Sequence, residues 1–182
     1  MKLILLRHEE RNYDIGFYSN LTDNGIINSL TTLPKKLDKL KIDLIFSSPF
    51  IRTLQTIYPY CNMKNKKVNL EYGLYEYIHN PYFLLYQWYY TYNDINDEDL
   101  KNIVNLRYNS IVNKNDFNIL EDEIDLSERI KKFFKYLLKY HYNKTILLVT
   151  HKGVVNKIKD IYIKNTSMSD NFEMGQLEIY DI

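Results

Sequence analysis

The chain has 182 residues, 45% of them hydrophobic and 26% charged, with 24 Lys and Arg against 23 Asp and Glu. That length and balance fit one globular domain with a full core, and a net charge of +1 gives no electrostatic reason to expect nucleic acid or an anionic membrane as partner. A single cysteine, Cys61, excludes an internal disulfide and points to a reducing, cytoplasmic setting. Leu3 to Leu6 is too short for a signal-peptide core, and no later apolar run approaches the length of a membrane span. The 18 tyrosines and the lack of any alanine match the codon supply of an A/T-rich genome and say little about function.

In chain order, Leu3 to Leu6 (LILL) is a continuous apolar run, as expected of a strand buried on both faces. Thr22 is a good N-cap for a helix with apolar residues at Ile26, Ile27, Leu30, Leu33, Leu37 and Leu40, and Pro34 predicts a kink or break within it. Asp43 to Phe46 (DLIF) is a second buried strand. Pro49 fits the first turn of a helix running to about Tyr60, and Lys67 to Glu71 (KVNLE) alternates like a half-buried strand.

A variable section follows from Tyr77 to Asp125, with an aromatic stretch at Tyr82 to Tyr92 and an acidic middle (NDINDEDL) expected as an exposed loop or helical flap. Asp125 with Glu128 resembles a capping box for a helix that buries Leu126, Ile130, Phe133, Phe134, Leu137 and Leu138. Ile146 to Val149 (ILLV) is a third buried strand, a helix starts near Lys152, and Gln176 to Tyr180 alternates as an edge or antiparallel strand. The alternation predicts an α/β fold of three layers, α/β/α, around a mainly parallel sheet.

Ligands of open α/β sheets bind beyond the carboxyl ends of the strands. The first strand ends in Arg7-His8, the second in Ser47-Ser48 with Arg52 a helical turn on, and the strand from Ile146 in Thr150-His151. Parallel strands bring these ends to one edge of the sheet. Arginine forks, imidazoles and helix N-termini together favour a doubly charged tetrahedral anion, and a phosphate monoester is the natural guest. A neutral imidazole there can attack phosphorus directly, with the arginines stabilising the charge that spreads over the phosphoryl oxygens. The departing alcohol needs a proton, so a carboxylic acid is expected nearby. No metal is implied: the chain has no His-Glu-x-x-His pattern and no cysteine cluster.

These residues resemble the histidine phosphatase superfamily, whose fold is called phosphoglycerate mutase-like. "LRHEE" resembles the Leu-Arg-His-Gly-Glu signature, "LTDNG" its Leu-Thr-x-x-Gly, and "VTHKG" the region of its second histidine, while "SSPFIRTLQT" matches Ser-Ser-Pro-x-x-Arg-x-x-Gln-Thr at every fixed position. The resemblance implies a phosphomonoesterase spanning residues 1–182 as a single domain, with an insertion at about 77–125 that selects substrate, and no cofactor. It implies His8 as the phosphorylated nucleophile, Arg7 and Arg52 as phosphate ligands, and His151 completing the pocket.

For the general acid, "VNLEYGLYEY" holds Glu71 and Glu76. Its likeness to the suppressor-of-T-cell-receptor-signalling phosphatases, whose acid is the second carboxylate of the segment, favours Glu76. "RHEER" adds Arg11 as a third phosphate ligand by the same likeness. The chain departs from the pattern at Glu9 and Lys152, each standing after a pocket histidine where a small residue is usual. Their opposite charges suggest mutual neutralisation across the crevice.

Phosphoglycerate mutase-type transfer is an alternative, disfavoured by the short chain and the acid segment. A catalytically weak relative serving as a binding module is another, disfavoured by retention of Arg7, His8, Arg52, His151 and a carboxylate. The implied substrate is a phosphorylated small molecule or phosphoprotein. Its identity and the oligomeric state are not legible in the sequence. His79, His141 and Cys61 read as structural.

Overall fold

The computed structural model describes residues 1–12, 19–81, 95–116, 118, 120–163 and 171–182. The aromatic stretch at Tyr82 to Tyr92, and Asn93 and Asp94 of the acidic stretch, lie outside the described residues.

Five strands form one sheet: β1 (Lys2–Arg7), β2 (Leu44–Ser47), β3 (Asn69–Leu70), β4 (Thr145–Thr150) and β5 (Leu177–Asp181), in the order β3-β2-β4-β1-β5. All neighbours are parallel except β5, which runs antiparallel along β1 at the edge. The fold is thus the three-layer α/β architecture with a mainly parallel sheet. The continuous apolar runs of β1 and β4 are explained by the pleat, which sends alternate side chains to opposite faces. Ile4, Leu6, Leu147 and Val149 join the core on one side, and Leu3, Leu5, Ile146 and Leu148 the core on the other.

The first core is covered by α1 (Asp23–Leu37) and α2 (Ile51–Lys64). Thr22 caps α1 by accepting from the Gly25 N–H at 3.1 Å. Two expectations fail here. The helix runs unbroken through Pro34, which stands in its last turn, and passes into a 3-10 turn at Asp38–Leu40. The buried stripe is also not the aliphatic one: Ile26, Ile27 and Leu30 are 41%, 55% and 58% exposed, while Gly25, Ser29, Leu33, Pro34 and Leu37 face inward. Small residues win that face because α1 packs closely on its neighbours. A Cβ on Gly25 would stand 2.2 Å from the Glu10 carbonyl oxygen, so glycine is what lets the helix start against the chain that leaves β1.

The second core is covered by α4 (Glu123–Tyr140) and α5 (Lys152–Tyr162). The cap of α4 is Asp122, which accepts from Ile124 and Asp125 N–H groups at 2.7 and 2.9 Å, so the predicted Asp125–Glu128 capping box is displaced by three residues. The buried face of α4 contains Arg129 as well as Leu126, Ile130, Phe133, Phe134 and Leu137, while Leu138 is 41% exposed. Within the acidic stretch Asp97 caps a five-residue helix, α3 (Glu98–Asn102). No helix among the described residues is long and apolar enough to cross a membrane.

Candidate active site

The register puts Arg7 opposite Thr150 and Ser47 opposite Val149. The residues that follow therefore emerge together at one edge of the sheet: His8 N–H donates to the Thr150 carbonyl at 3.1 Å and Ser48 N–H to that of Val149 at 2.9 Å. The rings of His8 and His151 meet edge to face with centroids 5.4 Å apart. Both are buried, as is Arg52 from the first turn of α2.

His8 Nδ1 lies 2.8 Å from the Glu9 carbonyl oxygen. A carbonyl only accepts, so this nitrogen carries the proton and the free lone pair sits on Nε2. Burial, reinforced by Arg52 and His151, holds the His8 pKa well below that of a free imidazole. Glu9 N–H in turn donates to Thr56 Oγ1 at 2.9 Å, which fixes the peptide that orients the ring.

His151 Nε2 lies 2.9 Å from Ser48 Oγ, and its Nδ1 is 3.1 Å from Glu76 Oε2 and 3.3 Å from Arg52 Nη2. Burial lowers its pKa to about 4, against the opposing pull of Glu76 and with Arg52 adding to the depression, so the ring is neutral near pH 7. Arg52 Nη2 also reaches Glu76 Oε2 at 3.2 Å, and its guanidinium carbon lies 4.3 Å over the Phe50 ring. Burial brings the Arg52 pKa down to about 10, which leaves it charged.

Glu76 projects into this group with its side chain 26% exposed. Its Oε1 accepts from the Tyr77 N–H at 3.2 Å. Burial alone would raise its pKa, but His151, Arg52 and His8 outweigh it and hold the carboxyl well below the usual range. Glu71 is elsewhere. Fully buried, it accepts from the N–H groups of Gly73, Ile111 and Val112 at 2.8, 2.9 and 3.1 Å, from Ser110 Oγ at 2.9 Å, and from the Tyr108 hydroxyl. Glu71 ties the far end of the variable section to β3; Glu76 faces the crevice.

Arg7 reaches the Phe172 carbonyl through Nη1 at 2.7 Å, while its Nε is buried with no hydrogen bond among the described residues. Arg11 lies at the rim, where Nη1 donates to Ser19 Oγ and the Asn12 carbonyl, each at 3.1 Å. Its charge is felt at both Arg7 and Arg52, whose proton affinities it lowers. Arg52 beside two neutral imidazoles, with the charges of Arg7 and Arg11 felt there, makes this edge electropositive. One ligand atom each from His8, Glu76 and His151 lies within 4.8 Å of the others. Arg52 Nη2, at 3.2 and 3.3 Å from the Glu76 and His151 atoms, sets a positive charge against two of these three groups.

Residues of "SSPFIRTLQT", fixed and variable alike, divide the work of building this edge. Ser48 holds His151, Thr53 Oγ1 bonds the Ser48 and Phe50 carbonyls at 2.7 and 2.6 Å, Gln55 Oε1 accepts from Leu21 N–H at 2.9 Å, and Thr56 holds Glu9.

The two departures do not neutralise one another. Glu9 is buried with its carboxylate bonded to Asn28 and influenced by Lys36, and burial raises its pKa. Lys152 instead reaches Asn171 Oδ1 at 3.5 Å, and no ion pair joins the two among the described residues. Glu9 fits because Gly175 lies against it: a Cβ there would stand 2.4 Å from Glu9 Oε2, and Gly175 has φ +73°. The Glu9 carboxylate is thus turned toward α1 and the entry to β5.

The family model of the histidine phosphatase superfamily (branch 1) matches residues 3–179. The chain belongs to this superfamily. Its membership, together with the phosphatase relative named next, makes this chain a phosphoric monoester hydrolase. It is 28% identical over 158 residues to phosphoserine phosphatase 1 of Hydrogenobacter thermophilus, covering 83% of this chain and 71% of that protein. A putative alpha-ribazole-5'-P phosphatase from Escherichia coli superposes with a TM-score of 0.69 at 22% identity, covering 100% of this histidine phosphatase and 91% of that chain. The ecdysone phosphate phosphatase from Bombix mori, solved in complex with tungstate, gives 0.68 at 14% identity over 98% and 88%. The two structural likenesses bear on the fold.

Proposed function

We propose that His8 Nε2 attacks the phosphorus of a phosphate monoester, that Arg7, Arg52 and Arg11 hold the phosphoryl oxygens with His151, and that Glu76 protonates the leaving group. The observation that carries this reading is the bond from His8 Nδ1 to the Glu9 carbonyl at 2.8 Å, which leaves the lone pair on Nε2 of a ring that the Arg52 charge reaches. In the first step the N–P bond forms and the P–O bond to the alcohol breaks, with the Glu76 proton passing to the departing oxygen. In the second, water attacks the phosphohistidine, Glu76 takes a proton from it, and inorganic phosphate leaves with His8 neutral again.

Glu76 is ionised in the resting protein. A phosphate dianion set against Arg7 and Arg52 engages the charges that hold this carboxyl down and adds a like charge beside it. Both effects raise its proton affinity, so the carboxylate takes up its proton and becomes neutral as substrate arrives.

In this reading residues 1–182 act as one cytoplasmic catalytic domain on a phosphorylated small molecule, and the stretch at about 77–125 selects it. Phosphoserine is the substrate class that the name of the Hydrogenobacter relative suggests. The test is rapid quenching with a generic aryl phosphate. An acid-labile, base-stable phosphoenzyme is expected from the native chain and none from a folded His8→Ala variant. Undiminished hydrolysis by that variant would overturn the assignment.

A further inference from the structure

Three successive carbonyls lead up to Glu76, and each is held by a side chain from another element. Arg129 donates through Nη1 to Gly73 O at 2.8 Å and through Nη2 to Tyr75 O at 2.9 Å, and Thr150 Oγ1 donates to Leu74 O at 2.8 Å. Arg129 is itself locked: its Nε and Nη2 donate to Glu121 Oε1 and Oε2 at 2.5 and 2.7 Å. Glu121 N–H then donates to Ile78 O at 2.9 Å, beyond Glu76. Arg129 and Glu121 are each only 3% exposed.

A buried ion pair is weak evidence of a stability role, since apolar residues of similar volume often serve as well. A planar fork that grips a carboxylate on one side and two carbonyls on the other does something an apolar pair cannot. It sets the position of the backbone from which Glu76 projects. We propose that Arg129, fixed by Glu121, is a positioning residue for the Glu76 carboxyl, holding it where it can protonate the leaving oxygen. The proposal rests on Glu76 being the general acid.

A misplaced acid is felt in proportion to how much the leaving group needs the proton. Two variants test this: Arg129→Lys, which keeps the charge and loses the fork, and the double variant Glu121→Gln with Arg129→Met, which removes the buried charges together. Each is assayed on aryl phosphates running from p-nitrophenyl to phenyl phosphate, with Glu76→Gln in parallel and circular dichroism to verify folding.

Expected is a fall of about a hundredfold on phenyl phosphate, a much smaller fall on p-nitrophenyl phosphate, and the same steepened leaving-group dependence in Glu76→Gln. A uniform fall across the series in folded clamp variants, or none, while Glu76→Gln steepens it, overturns the clamp alone. Failure of both clamp variants to fold also overturns it, because the pair is then only a folding element. A flat response in Glu76→Gln overturns the acid assignment and the clamp with it.

Discussion

Glu76 Oε2 lies 3.1 Å from His151 Nδ1, and the imidazole stays neutral despite that carboxylate. Burial dominates, placing the His151 pKa at about 4 and that of His8 well below 6.5. With the substrate's own ionisation corrected for, kcat/KM measured against pH should keep its acid limb below the ordinary imidazole range. A limb at or above 6.5 would contradict a neutral buried nucleophile. The same depression bears on stability. Between about 4 and 6.5 the unfolded His151 binds protons that the folded one does not, so chemical-denaturation midpoints should rise with pH across that window.

Glu71 and Glu76 should separate cleanly on mutation. Glu71→Gln sets an amide against buried N–H donors and should cost about 2–4 kcal/mol in urea unfolding, with the folded fraction still active. Glu76→Gln should leave the melting temperature within a few degrees and slow turnover of poor leaving groups by ~10²–10⁴-fold. The reverse pattern would exchange their roles.

Arg52→Lys keeps the charge and loses the planar fork that spans Glu76, His151 and the face of Phe50. Loss of one charge-assisted hydrogen bond is worth roughly 1.5–3 kcal/mol, so vanadate inhibition should weaken by about ten- to a hundredfold. Isothermal titration with vanadate reads this directly; equal affinity would place the anion elsewhere.

Gly175→Ala forces a Cβ into the Glu9 carboxylate and a side chain into positive φ. It should destabilise by about 1–3 kcal/mol. Glu9→Gly in the same chain should recover the steric part and leave the backbone part, giving a coupling of about 1 kcal/mol in a double-mutant cycle. Strict additivity would mean the two residues do not sense each other.

The strands were legible because three of them are short apolar runs that end in chemistry-bearing residues. Arg7, His8, Arg52, Glu76 and His151 all meet at the edge where those strands end, and Arg11 stands at its rim. Less legible was whatever depends on distant backbone. Periodicity favours Ile26, Ile27 and Leu30 for the buried side of α1, but close packing against Glu10 selects Gly25 and Ser29 instead. Arg129 reads as a surface residue of an amphipathic helix until Glu121 and the carbonyls of Gly73 and Tyr75 are seen around it. The signal available was an arginine at a core-facing position of α4, beside Ile130 and two turns from an acid. Glu9 and Lys152 looked like partners because only their charges were visible; Gly175, which makes room for one of them, is far away in the chain.

The strand that carries the nucleophile lies between β4 and β5, whose first residues are Thr145 and Leu177. As the chain emerges from a ribosome, β1 therefore waits with both edges unpaired until the segments from residues 145 and 177 onward have been made. Pairings of such long sequence separation make folding slow and leave an apolar edge open to wrong partners. Competence arrives in one late step, when β4 brings His151 and the segment before β5 brings Phe172 to Arg7. Nascent chains stalled before residue 145 should be the species that chaperones hold.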